Sequence, residues 1–237
     1  LRRRYGAQVH MDRLKHDSGL RVLLASAAKA AARHDRVIRP LLSVWDSHHL
    51  RITILVERSK MGASAVEENL GWRVASPDDS VVESAIQAGL LPKHDFGSRP
   101  MHVMLPMNAY PDLNAGVSGP LWTGPIGDSG LMASMSEAAA EEICRAGDSD
   151  VDPKEIKRAK QAVRRICDES KAIHGSHLVI TDALPSFVGE GDPPSPSKMA
   201  EALREEGFCA EVSRYAEPSF RTDAPWSLVL QAFRRLP

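Results

Sequence analysis

Cations, rather than any catalytic constellation, are what this chain of 237 residues spaces in a way that could do chemistry. Lys154, Lys157, Arg158, Lys160, Arg164 and Arg165 fall within about three turns of one predicted helix, so several positive charges repeat along one element at a pitch that suits a row of phosphates. Arg204, Arg214 and Arg221 follow on or beside a predicted C-terminal helix and hairpin, where a wing would meet a phosphate backbone. The alternative for each of these is a solvated surface charge with no partner. His48 and His49 form a pair in a predicted turn; solvation is the default there, and stacking on or hydrogen bonding to RNA is the functional reading. His174-x-x-His177 is half of a metal site with no cysteine or carboxylate cluster near it, so no metal is expected. Trp122, held among Gly119, Pro120, Gly124 and Pro125, reads as a packing anchor before a base-stacking platform. No Gly-rich phosphate loop follows a predicted strand, and neither H-E-x-x-H nor G-x-S-x-G is present.

The formal charge of −1 hides an asymmetry. Residues 1–39 hold ten Lys and Arg against three Asp and Glu, residues 61–150 four against thirteen, and residues 153–171 seven against three. A near-neutral protein can still bind a phosphate backbone if its cations share a face. Hydrophobic residues at 43% and charged residues at 26% exclude wholesale disorder. The longest apolar candidate, Val22 to Ala32, is mostly alanine and is interrupted by Lys29, short of the roughly 20 residues a membrane span needs. The N-terminal arginines lead into no apolar core or cleavage site, so no secretory signal is expected. Cys144, Cys167 and Cys209 are odd in number and lack C-x-x-C spacing, which predicts a soluble protein of a reducing, cytoplasmic compartment, although one pair could meet in space. Leu1 in place of an initiator methionine reads as a fragment or a processed product.

The elements that must position these residues are an α/β beginning and a helical end. Asp12 to Asp35 is predicted helical, with Leu20, Leu23, Leu24, Ala27, Ala28 and Ala31 as its apolar stripe. Leu41 to Trp45 and Arg51 to Val56 are predicted strands around an Asp46-Ser47-His48-His49 turn, an antiparallel pair. Val66 to Trp72 is short helix or strand, Asp78 to Leu90 a helix begun by the Pro77-Asp78-Asp79-Ser80 cluster, and Met101 to Tyr110 an edge strand or loop because of Pro106. Gly119 to Asp128 is a structured loop or a sharply bent strand, and Ser129 to Arg145 one helix. Lys154 to Lys171 is a strong helix, Leu178 to Val188 a shorter apolar element, and Lys198 to Glu206 a helix stopped by Gly207. Phe208 to Tyr215 and Ser227 to Phe233 follow as strand or helix. Three helices and then a strand pair is the order of a winged helix. No internal repeat is present.

Arg4-Tyr5-Gly6-Ala7, His16-Asp17-x-Gly19-Leu20-Arg21-x-Leu23-Leu24, Ile38-Arg39-Pro40-Leu41-Leu42-Ser43 and His49-x-Arg51 run in an order that resembles the tRNA (guanine-26) N2-dimethyltransferases. Gly119-Pro120-Leu121-Trp122-Thr123-Gly124-Pro125 with Asp128 is similar to that family's most distinctive segment. Ala202-Leu203-Arg204-Glu205-Glu206-Gly207-Phe208 and Arg221-Thr222-Asp223-Ala224-Pro225 extend the likeness, which runs from Arg4 to Trp226.

The resemblance implies an enzyme that uses S-adenosylmethionine to methylate the exocyclic amine of a tRNA guanine. By it, residues 1–58 are the tail of a Rossmann-like class I methyltransferase domain (α/β). Residues 59–237 are then a family-specific α+β domain that grips tRNA, with a sub-boundary near 150 and a winged-helix-like C-terminal module. It makes His48, His49, Arg51, Lys154, Lys157, Arg158, Arg164, Arg204, Arg214, Tyr215 and Arg221 the tRNA-binding candidates, and Gly119, Pro120, Trp122, Gly124 and Pro125 a structural motif.

The family's cofactor-binding strands and catalytic aspartate motif would precede Leu1. The chain alone is therefore expected to be inactive, with S-adenosylmethionine bound by a missing catalytic half in cis or in trans. No Asn/Asp-Pro-Pro-Phe/Tyr segment that would hold the amine occurs here, and residues 61–118 lack the four zinc-binding cysteines of many members. Ser213-Arg214-Tyr215 replaces the family's Thr-His-Phe, and Pro218-Ser219-Phe220-Arg221-Thr222 its Pro-x-Gly-Ile-Lys-Thr. The rival expectations are a non-enzymatic tRNA-binding subunit and a winged-helix DNA-binding regulator that reads with Lys198 to Glu206.

Overall fold

The structure is a computed structural model that describes residues 2–46, 49–112, 116–147 and 150–236. A short α1 (Arg2–Tyr5) precedes α2 (Lys15–Ala32), which buries Leu20, Leu24, Ala25 and Ala28 along one stripe. The helix starts later than its periodicity predicts because Asp12 turns the chain first, its Oδ1 accepting from the Leu14 N–H at 2.8 Å. β1 (Arg36–Asp46) and β2 (His49–Arg58) form the expected antiparallel pair, longer than predicted and in register from Arg36↔Arg58 to Asp46↔His49. The register shifts between Pro40 and Leu42, as it must where a proline has no N–H to give the ladder. Leu50, Ile52 and Ile54 alternate along β2 and pack with α2 and Trp45 on one core.

The next unit resolves the ambiguous stretch. α3 (Lys60–Ser64) and a 3₁₀ turn over Val66–Asn69 lead into β3 (Leu70–Ala75), the middle of a three-stranded sheet. α4 (Asp79–Gln87) is capped by Asp78, whose side chain accepts from the Val81 N–H, and it lays Val82 and Ala85 on that sheet. β4 (His102–Pro106) is an edge strand that ends at its proline, and β5 (Val117–Trp122) takes the other edge. The strands pass closely here. A Cβ at Gly71 would lie 1.8 Å from the Leu105 carbonyl oxygen, and Gly119, at φ +143, would drive one to 2.7 Å from that of Gly71. The Gly119–Pro120 peptide is cis, and Gln8 and Gly119 exchange backbone hydrogen bonds of 2.9 and 2.8 Å.

The helix expected over Ser129 to Arg145 is two helices, α5 (Ser129–Ser134) and α6 (Glu137–Gly147). Met135 is extended, and the Ser136 hydroxyl accepts from the Ala139 N–H at 3.0 Å to start the second. α7 (Pro153–Glu169) follows, then β6 (His177–Ile180), α8 (Leu184–Val188), α9 (Pro196–Glu205), β7 (Ala210–Ser213), β8 (Ser219–Thr222) and α10 (Trp226–Arg235). The last sheet has the order β6-β8-β7, again antiparallel throughout. Ser227 to Phe233, left open between strand and helix, is helical because Trp226, Val229, Ala232 and Phe233 recur at helical steps and all bury.

The protein is thus a mixed α/β structure on antiparallel sheets. Its main core draws on both sides of Arg58, joining Leu20, Leu24 and Ile38 to Leu70, Ile173 and Tyr215. Trp122 belongs to that core at 7% exposure, its Nε1–H donating to the Pro125 carbonyl at 2.9 Å. Trp122→Ala is expected to lose about 3–5 kcal/mol of unfolding free energy in urea titration, from lost burial and the cavity left behind.

Candidate nucleic-acid interface

The structure divides the candidate cations into a buried set and an exposed set. Arg221 is 2% exposed on β8, its Nη2 3.6 Å from Asp17 Oδ1 and its Nε 3.5 Å from Glu169 Oε1. It therefore offers no surface to a phosphate, and the expected wing contact is corrected to an interior one. Tyr215 is also interior: its phenol donates to the Ser43 carbonyl at 2.9 Å, and burial pushes it well above the usual phenol range. The aromatic ring stacks nothing from outside.

The signal for this interior network was present in the helix patterns. Glu169 continues the apolar stripe of α7 one step beyond Ile166, and Asp17 opens that of α2 one step before Leu20. An acid on a buried stripe requires a cation. Asp17 Oδ2 accepts from Arg21 Nε at 2.8 Å, and Arg21 Nη1 donates to the carbonyls of Trp122 and Gly124 at 3.0 and 2.8 Å. The Gly119–Pro125 segment is thereby tied to α2. Glu169 also accepts from the Ser213 hydroxyl and the Arg214 N–H. Sequence reasoning passed over Arg73, which is 1% exposed and donates to Ser18, Ser118 and both oxygens of Asp12.

His177 turns inward to Asp95 at 2.8 Å, and that carboxylate also accepts from the Trp226 N–H, so His174 and His177 do not converge as the start of a metal site. Among the described residues, no three His, Cys, Asp or Glu side chains come together as a metal site. The three cysteines are free.

Lys154, Lys157, Arg158 and Arg164 are all exposed on α7, but its flanks differ. Toward α6, Arg164 pairs with Glu137 at 2.6 Å and Lys160 with Glu141 at 2.8 Å. These acids from the negative middle of the chain neutralise that flank. Among the described residues, Lys154, Lys157 and Arg158 meet no carboxylate within ion-pair distance, and Arg158 and Arg165 line a cleft together with Trp45 and Asp46 at the end of β1. His49 pairs in register with Asp46, and Arg51 with Val44; both side chains are exposed. His48 lies outside the described residues. Trp45 stacks on His16, centroids 3.9 Å apart and 11° from parallel. Burial and the neighbouring Lys15 hold His16 below its ordinary value. Arg204 turns back on its own hairpin, Nη1 donating to the Ala210 carbonyl and Glu211. Arg214 stands half-buried beside Trp45. Of the positive excess in residues 1–39, Arg21 is buried, and Arg13 and Arg39 pair with Asp182 and Asp128.

Fold and surface together define a mixed α/β protein on antiparallel sheets, with exposed cations on α7 that no described carboxylate pairs. The model of the N2,N2-dimethylguanosine tRNA methyltransferase family matches residues 2–234, and the chain belongs to that family. It is 29% identical over 227 residues to a tRNA (guanine(26)-N(2))-dimethyltransferase of Aeropyrum pernix, covering 93% of this chain and 48% of that protein. With one of Pyrobaculum aerophilum it shares 28% over 234 residues, 98% of this chain and 51% of the relative. The chain spans about half the length of these curated relatives. The solved structure of Trm1 from Pyrococcus horikoshii in complex with S-adenosyl-L-methionine has the same fold, with a TM-score of 0.72 at 20% identity over 98% of this chain and 53% of that one. Among the described residues, no helix is long and apolar enough to cross a membrane.

The buried charges give a pH signature. Burial raises Asp17, but Arg21 and Arg221 outweigh it and hold the carboxyl below its ordinary 3.8. A depressed native value means stabilisation that is present above the unfolded value and lost as pH falls through the native one. Glu169, pushed above 4.5 mainly by burial, works oppositely: its ionised form costs stability above 4.5. Melting temperatures followed down from pH 4 should fall less steeply in Asp17→Asn than in the parent.

Proposed function

We propose that this chain is the tRNA-gripping portion of an S-adenosylmethionine-dependent methyltransferase acting on the exocyclic N2 of a tRNA guanine, position 26 in the family. The observation that carries this reading is the family match over residues 2–234. The exposed α7 stripe of Lys154, Lys157 and Arg158 supports it as a surface for phosphates. His49 and Arg51 on the hairpin belong to the same proposed contact set, as do Arg164, Arg204 and Arg214. Residues 1–58 are taken as the tail of the methyltransferase domain and 59–237 as the tRNA-binding domain.

Guanine N2 is a poor nucleophile, so its methylation needs the amine held about 3–3.5 Å from the methyl carbon. The described residues do not fit the cradle that a parallel, doubly wound sheet makes for S-adenosylmethionine: their three sheets pair antiparallel throughout. The cofactor is accordingly assigned to residues outside this chain, supplied in cis or in trans, and the chain alone to binding without methyl transfer.

The order α7, β6, α8, α9, β7, β8, with β8 between β6 and β7, supports a winged-helix-like module. That order also suits a DNA-binding regulator. Against it, the solvent face of α9 and its C-cap carry Glu201, Glu205 and Glu206 beside Lys198 and Arg204, so a reading helix there would bring carboxylates to phosphates.

Binding to a folded tRNA transcript and to duplex DNA of similar charge, measured across salt concentrations, tests the proposal. The chain should prefer the tRNA. Lys154→Gln with Lys157→Gln should flatten the slope of log affinity against log salt by somewhat under two units, at about 0.7–0.9 per phosphate contact. Stability should stay within about 0.5 kcal/mol. Equal affinity for the two nucleic acids would overturn the tRNA reading.

A further inference from the structure

The cleft between α7, the end of β1 and the turn from β7 to β8 encloses about 370 Å³ and is lined by Trp45, Asp46, Arg158, Arg165, Arg214 and Glu217 among others. Three guanidinium groups meet two carboxylates there, from elements more than a hundred residues apart. Arg158 and Arg165 are seven residues apart on α7, two turns along one face. Arg158 has no carboxylate within ion-pair distance among the described residues. Arg165 has one, Glu217 at 3.2 Å, with both side chains more than half exposed, an arrangement that holds weakly.

Arg214 is the unusual member. Its backbone N–H is fixed on Glu169 at 3.1 Å and its Nη2 donates to the Trp45 carbonyl at 3.2 Å. Its Nε and Nη1 are buried and have no hydrogen-bond partner among the described residues. Charged donors without acceptors are unfavourable inside a protein. An oxyanion with two acceptor oxygens is the ligand that matches the planar fork of a guanidinium. The cleft is also not a closed cup. An adjoining furrow of about 500 Å³, lined by Lys15 and His16, shares Trp45 and Glu217 with it. A polymer of phosphates would follow such a path, whereas a free ion would use only the cleft.

We propose that Arg158, Arg165 and Arg214 form a phosphate clamp for one backbone phosphate of an RNA strand, which runs on past Trp45 toward Lys15. The occupant rests on the tRNA-binding reading above; the oxyanion site itself does not. Glu217 competes with the phosphate for Arg165 and sets the clamp's resting state.

Two measurements on the full chain keep the site and its occupant apart. In the first, inorganic phosphate is titrated while the Arg214 Nε–H resonance is followed by NMR. A saturable shift in the parent that is lost in Arg158→Gln/Arg165→Gln is expected, and no shift in the parent would overturn the site. In the second, a folded tRNA transcript is titrated at several salt concentrations. The double variant should lose about 0.7–0.9 of the salt slope, one phosphate contact, and Glu217→Gln should bind severalfold tighter than the parent. tRNA binding with an unchanged slope in the double variant would overturn the clamp while leaving the tRNA reading intact. A phosphate-dependent shift in a chain with no affinity for tRNA would overturn RNA as the occupant.

Discussion

Arg221 stands between Asp17 of α2 and Glu169 of α7, at 3.6 and 3.5 Å, with all three side chains almost wholly out of solvent. Elements that begin 138 residues apart in the chain, at Lys15 and Pro153, are held to the same strand by this one cation. Arg21 then balances Asp17 from the other side and carries the connection to the carbonyls of Trp122 and Gly124. The ring of Tyr215 lies 5.4 Å from the Arg221 guanidinium while its hydroxyl reaches the Ser43 carbonyl, so β1 joins as well. Two arginines against one aspartate and one glutamate leave the cluster neutral, which makes its desolvation tolerable. A missing partner would leave an uncompensated buried charge, whereas apolar residues in the same space would impose no particular register. The charges meet at one place, between α2, α7 and β8.

From that arrangement follows where charge reaches the surface. α7 has its acid stripe end, Glu169, anchored inside, so its two polar flanks have fixed directions. One faces α6 and is neutralised by Glu137 and Glu141. The other carries Arg158 and Arg165 toward the end of β1, and Lys154 and Lys157 are exposed as well. The negative middle of the chain is partly taken up by local contacts. Some of its acids cap helices, as Asp78 and Asp128 do, or cover basic residues, as Asp79 does for Arg99, while Glu67, Glu68, Glu83 and Glu142 stay exposed. A near-neutral protein thus still presents exposed cations on α7 that no described carboxylate pairs.

Much of this frame was legible in the sequence. The stripe of α2, the branched residues of β2, the Asp78 cap and the proline at the end of β4 each carry a local signal that the tertiary structure respects. The break between α5 and α6 was missed because a continuous helical pattern hides the hydroxyl of Ser136, which caps α6. The larger miss was Arg221 and Tyr215. Arginine and tyrosine near a hairpin are surface residues by default, and only their partners, far away in sequence, pull them inside. Arg73 was passed over for the same reason. What the sequence did hold was the two acid partners of Arg221, Asp17 and Glu169, each placed on an apolar stripe where no solvated carboxylate belongs.

A double-mutant cycle between Asp17 and Arg221, read by urea unfolding of Asp17→Asn, Arg221→Met and the combined variant, tests the central place of this network most directly. Each single change should cost about 3–5 kcal/mol because it strands a buried charge. The combined variant should be less damaged than the sum, by about 0.5–3 kcal/mol of coupling. Additive losses, or single variants as stable as the parent, would contradict the claim that these charges hold the fold together.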